Sequence, residues 1–163
     1  MNPLVGVAIG DVEMSLRILI AALCGAGVGY QREHANKAAG FRTHILVALG
    51  SALFTVVSMS GFNDHADPAR VAAQVVVGIG FIGAGAILHS RTSVTGLTTA
   101  ASIWVTAAIG MAAGVGLYFV TLLTTVIVLG VLQIQKHREV QVEQSNEAQS
   151  THPEQVRAFQ TGK

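Results

Sequence analysis

The sequence predicts an all-α, polytopic transmembrane helix bundle with about five spanning helices. Three observations carry this. The chain is 51% apolar and only 12% charged, whereas a soluble domain carries about 25% charged residues to coat its surface. Between Val71 and Gln135 the only ionised side chain is Arg91, and no acidic residue lies between Asp67 and Glu139. Apolar segments long enough to cross a hydrocarbon core recur along the chain. Water cannot solvate such a stretch, but a bilayer can.

The segments follow in order. After an extracytoplasmic N-terminus, residues 1–13, spans are expected at about 14–30, 43–60, 71–89, 97–114 and 115–134. Each is close to the ~20 residues that cross a ~30 Å core at 1.5 Å per residue. Unsatisfied backbone groups leave only helices or closed barrels inside lipid. The period-two alternation of a barrel is absent. The junction of the fourth and fifth segments is marked only by Gly114, Gly116 and Tyr118, so one long bent helix, and four spans in all, is the alternative there.

Lys and Arg set orientation through short loops. The Gln31–Arg42 loop holds Arg32, Lys37 and Arg42, Arg91 follows the third span, and Lys136 and Arg138 open the tail. The Gly61–Arg70 loop sets Asp64 and Asp67 against Arg70. The bias places the N-terminus outside and the C-terminus inside, with Arg17 snorkelling near the outer end of the first helix. Residues 135–163 turn rich in Gln, Glu, Ser and Thr. They are read as a mostly disordered cytoplasmic tail, with room for a helical extension.

Several chemistries are excluded. Gly78-Ile-Gly-Phe-Ile-Gly83 matches the dinucleotide fingerprint letter for letter, but no acid follows about 20 residues on and no soluble βα pattern surrounds it. No basic, aromatic-interleaved patch suits nucleic acid. Cys24 is alone, and no zinc, P-loop or GxSxG spacing occurs. Magnesium would want carboxylate oxygens. The interior supplies none, and Asp64 and Asp67 read as solvated loop charges. No enzymatic activity, cofactor or resident metal is expected.

What remains are notches and isolated polar groups. Gly78, Gly80, Gly83 and Gly85 thin the third helix, while Gly25/Gly29 and Gly110/Gly114 form GxxxG pairs on the first and fourth. Small residues let helices approach closely in lipid. The alternative is a backbone break near Gly80–Gly85, whose freed carbonyls would line a polar cavity. Gln74 needs a partner inside hydrocarbon. Thr98, Thr99, Ser102 and Thr106 can bond back to the preceding turn, and Trp104 and Tyr118 suit packing or an interfacial belt. The inner loop, with Arg32 beside Glu33, Gly40 as a turn, and Arg42-Thr43-His44 at the next helix edge, is the most unusual polar segment. It is either a topology-setting loop or a surface for anionic lipid or a protein partner.

Taken together, Gly29-Tyr-Gln-Arg-Glu33, Ala39-Gly-Phe-Arg-Thr-His44, Gly50-Ser-Ala-Leu-Phe54, Arg70-Val-Ala-Ala-Gln74, Gly78 through Gly85, and Gly96-Leu-Thr-Thr-Ala-Ala101 with Trp104 and Ala107-Ala-Ile-Gly110 are specific. They fall in order across about Met14–Ile134, and there the chain resembles the MgtC/SapB family of bacterial inner-membrane proteins. The resemblance implies a multi-pass protein tied to magnesium limitation. Members are labelled magnesium transporters or viewed as regulators of other membrane proteins. The longer members carry a folded cytosolic C-terminal domain, which residues 135–163 are too short and polar to match.

Two functional readings follow. One is a non-enzymatic regulator acting through helix faces or the inner loop on another membrane protein, with self-association as a further option. The other is a transporter of magnesium or another small solute using Gln74, Thr98, Thr99 and carbonyls around Gly78–Gly85.

Overall fold

The computed structural model describes residues 3–60, 67–89 and 94–150. Among these lie five helices: α1 (Pro3–His34), α2 (Phe41–Ser60), α3 (Pro68–Gly85), α4 (Leu97–Val115) and α5 (Tyr118–Ser150). A two-residue antiparallel ladder joins β1 (Leu88–His89) to β2 (Val94–Thr95) between α3 and α4. Asp64, Arg91 and residues 151–163 lie outside the described residues. The chain divides into two compact units, Met1–Leu129, which holds the bundle, and Gly130–Lys163. The described part of the second unit is helix to Ser150.

Three stretches, Gly10–His34, Phe41–Ser60 and Leu97–Val115, are long and apolar enough to cross a membrane. Two further apolar helical stretches, Ala69–Gly85 and Tyr118–Ile134, have 17 residues each, the short end of the ~17–25 that suffice. Large apolar side chains such as Leu23, Leu46, Phe54, Phe81, Leu122 and Val126 point outward. In lipid that surface is well solvated, and burying Leu against Leu gains little. Packing therefore rests on small residues. Ala21, Ala48, Ala52 and Ala113 are fully buried together.

α2 packs against α1 on one side and α4 on the other, and the glycine notches explain how closely. A methyl on Gly25 would come 2.6 Å from the His44 carbonyl oxygen and 2.8 Å from Ala48 Cβ. On the other face, a methyl on Gly110 would overlap the Ala48 carbonyl, and one on Gly114 would lie 2.8 Å from the Ala52 carbonyl oxygen. Ala48 is thus pinched between two glycines of different helices.

The helix ends differ from the sequence reading, and local caps explain why. α1 runs through Gln31–His34, expected to be loop. It stops where Asn36 takes a left-handed conformation at φ 51°, with Lys37 N–H bonded to the Arg32 carbonyl and Asn36 N–H to the Glu33 carbonyl. That is a Schellman closure with Asn at its left-handed position. α3 begins on the Asp67 side chain, which accepts from Ala69 N–H at 2.9 Å with Pro68 in the first turn. It ends at Gly85 rather than running to His89, because the chain turns into the β1–β2 ladder. No break interrupts α3 between Gly78 and Gly85, so the alternative of a broken backbone there is not realised. The α4–α5 junction is a true corner: Gly116 sits at φ 94° and closes α4, which decides for five helices over four.

Candidate functional site

The buried polar groups gather where the end of α1 meets the starts of α2 and α4. Arg32, in the last turn of α1, is 1% exposed, and its Nη2 donates to Thr99 Oγ1 at 2.8 Å. A cation in the last turn also faces the negative end of the helix dipole. Thr99 lies in the first turn of α4, which starts from Gly96. Gly96 is required twice over: its φ is +89°, and a side chain there would collide with the Ala86 carbonyl. The corner before α4 therefore fixes where Thr99 sits.

Two turns of hydrogen bonds surround that pair. Ser102 Oγ donates to the Thr99 carbonyl at 2.8 Å and lies 3.1 Å from His44 Nε2. His44, fully buried, places Nδ1 2.8 Å from the Gly40 carbonyl. A carbonyl only accepts, so Nδ1 carries a proton. Thr106 Oγ1 continues the column by donating to the Ser102 carbonyl at 2.7 Å. Each hydroxyl or ring nitrogen is used in tying one helix to the next or to its own preceding turn.

Glu33 has a different task. Gly40 lies just ahead of α2 and has no side chain to cap it. Glu33 Oε2 instead accepts from Phe41 N–H at 2.8 Å, placing a carboxylate at the positive helix end. A methyl on Gly40 would come 2.9 Å from that same oxygen. Glu33 and Gly40 act as one cap assembled from two helices.

The other residues singled out in the sequence lie elsewhere. Arg42 is exposed and Thr43 half-buried on the first turn of α2, and Thr98 is half-buried beside Thr99. Trp104 is 52% exposed on α4. A methyl on Gly83 would lie 3.6 Å from the Ala100 carbonyl oxygen, while one on Gly80 or Gly85 would meet nothing within 4 Å. Arg70, Gln74 and Gly78 line a groove of about 970 Å³ between α2 and α3. Gln74 is exposed into this groove rather than buried in the bundle. The predicted residues thus divide between a bonded polar column and a separate groove.

Two participants were missed as site residues. His44 was read only as part of a motif, although Gly40 and His44 stand one helical turn apart, the spacing its Nδ1 bond uses. Arg17, near the N-terminal end of the first span, donates from Nη1 to the Gly114 carbonyl at 3.1 Å and pairs through Nη2 with Glu13, bracing the corner at Gly116.

Comparison with known proteins gives a consistent result. The chain is 49% identical over 129 residues to a protein named putative magnesium transporter YhiD of Escherichia coli K12, covering 75% of this chain and 60% of that protein. It is 45% identical over 114 residues to Protein MgtC of Salmonella typhimurium LT2, covering 70% of this chain and 48% of that one. The chain thus spans about half to three fifths of the length of these relatives. No solved structure matches it. The profile of the MgtC family matches residues 18–140, the stretch that holds α2, α3 and α4, the second half of α1 and most of α5, and the chain belongs to the MgtC family.

Proposed function

We propose that this protein is a non-enzymatic regulator in magnesium homeostasis, seated in the bacterial inner membrane and acting on other membrane proteins. The link to magnesium draws on the name of the Escherichia coli relative. The regulator reading draws on one structural observation: the buried polar side chains where α1, α2 and α4 meet are spent on internal hydrogen bonds. Arg32 with Thr99 and His44 with Ser102 tie helices together, Ser102 and Thr106 bond back to their own preceding turn, and Glu33 caps α2. An ion path needs groups that can exchange partners with a passing ion. The exposed groups, Arg42 and Trp104 among them, are instead available to a partner in the membrane or at its surface. The Lys/Arg bias supports an N-terminus outside and a C-terminus inside.

A transporter is the second reading, favoured by the printed name of that relative and by the groove holding Arg70 and Gln74. Site-specific photo-crosslinking from positions 42 and 104 in cells grown at low magnesium separates the two. The regulator reading expects a discrete adduct with a membrane protein, weakened by Arg42→Ala while the bundle stays folded. Lack of any adduct at either position, with the protein folded and present, would count against it.

A further inference from the structure

The groove between α2 and α3 is not used by the polar column, and its lining changes character along its length. Asp67, Arg70 and Ser58 stand at one end, Gln74 lies one turn further along α3, and beyond them the walls are Val75, Ile79, Ile82 and their counterparts on α2. Arg70 pairs with no carboxylate among the described residues. From Arg70 to Ile82 is about 18 Å of helix at 1.5 Å per residue, against about 15 Å for one leaflet of a bilayer core. The volume, about 970 Å³, falls near the top of the ~300–1,000 Å³ typical of small-ligand sites.

Two glycines sharpen the case. Gly50 on α2 and Gly78 on α3 both line the groove. Unlike Gly25, Gly29, Gly110 and Gly114, each has nothing within 4 Å of where a side chain would begin. Glycine inside a helix is unfavourable relative to alanine, and contact between these helices does not call for it here. At these positions it deepens the groove instead.

We propose that this groove binds one membrane phospholipid whose headgroup carries an ammonium, such as phosphatidylethanolamine. The order of groups along α3 matches the order along the lipid. The Arg70 guanidinium faces the phosphate, which it is suited to grip. The Asp67 carboxylate, which already accepts one bond from Ala69 N–H, has capacity left for the ammonium. The Gln74 amide stands at the depth of the ester carbonyls, and an acyl chain lies over Gly78 and Ile79. A headgroup carrying only negative charge meets repulsion from Asp67, so the site discriminates.

The test is native mass spectrometry of the full chain titrated with phosphatidylethanolamine or phosphatidylglycerol of the same acyl chains. Wild type retains one phosphatidylethanolamine in preference to phosphatidylglycerol. Arg70→Gln weakens retention of both by about tenfold, the loss of a charge-assisted contact. Asp67→Asn, which keeps a capping side chain, removes the preference while binding persists. Gly78→Leu abolishes retention of both lipids with helix content and melting unchanged. The proposal is overturned if wild type retains no more lipid than Gly78→Leu, or if all three variants bind as wild type does. A second copy of the chain in the groove, released by Gly78→Leu, overturns it equally. None of these outcomes depends on whether the protein regulates or transports.

Discussion

Arg32 at the end of α1 and Thr99 at the start of α4 are 67 residues apart, yet the Arg32 guanidinium donates to the Thr99 hydroxyl at 2.8 Å. The bond fastens the two helices that flank α2, at the end where Glu33 caps it. A buried cation needs its acceptors, because removing one strands a donor away from water.

Thr99→Val keeps the shape and deletes the acceptor. It should lower stability by about 1.5–3 kcal/mol, the usual worth of a hydrogen bond to a charged group, while Thr99→Ser restores most of it. Thermal unfolding in a single detergent, followed by circular dichroism, measures both. Equal melting of Thr99→Val and wild type would mean the bond contributes nothing.

The glycines should fall into two classes. Gly110→Ala drives a methyl into the Ala48 carbonyl and should cost about 1–3 kcal/mol or more by overpacking. Gly80→Ala meets open space and should gain up to about 1 kcal/mol of helix propensity. The same melting measurement decides, and a shared sign for the two variants would refute the close-packing account of α2.

Gly96 combines a left-handed backbone with a clash. Gly96→Ala should destabilise by more than the ~1–2 kcal/mol that a left-handed alanine costs by itself, because it also meets the Ala86 carbonyl. Gly116→Asn, at φ 94°, should be milder, since Asn tolerates that region better. Folded yield and melting of the two variants test the ranking.

Glu33→Ala removes the cap on α2 and should cost about 0.5–2 kcal/mol, as other N-cap deletions do. Glu33→Gln retains an acceptor oxygen and should lose less. Hydrogen exchange at Phe41, whose N–H is the bonded donor, should accelerate in Glu33→Ala more than exchange in the middle of α2.

How much of this was legible follows from how local each cause is. The spans could be read because bilayer solvation acts on composition over about 20 residues. The notches at Gly25, Gly29, Gly110 and Gly114 could be read because GxxxG spacing sets one helix face. Which partner fills a notch could not, and Ala48 carries no mark that it sits between two helices. The Arg32–Thr99 bond was likewise hidden, since neither residue signals the other across the intervening helices. Helix ends were misplaced where a single residue decides them. Asn36 in a left-handed turn stops α1 after His34, and the β1–β2 ladder ends α3 at Gly85. The dinucleotide-like run from Gly78 to Gly83 lies wholly within α3. Its glycines serve a helix with one packed position, Gly83, and one open wall.

The account rests on the polar column being structural and not a path for ions. Magnesium entry into liposomes holding the purified protein, followed with an entrapped magnesium-sensitive dye, tests this most directly. The predicted result is entry indistinguishable from protein-free liposomes across a range of gradients. Saturable entry above that background, reduced by Thr99→Val or Gln74→Ala in folded protein, would contradict it.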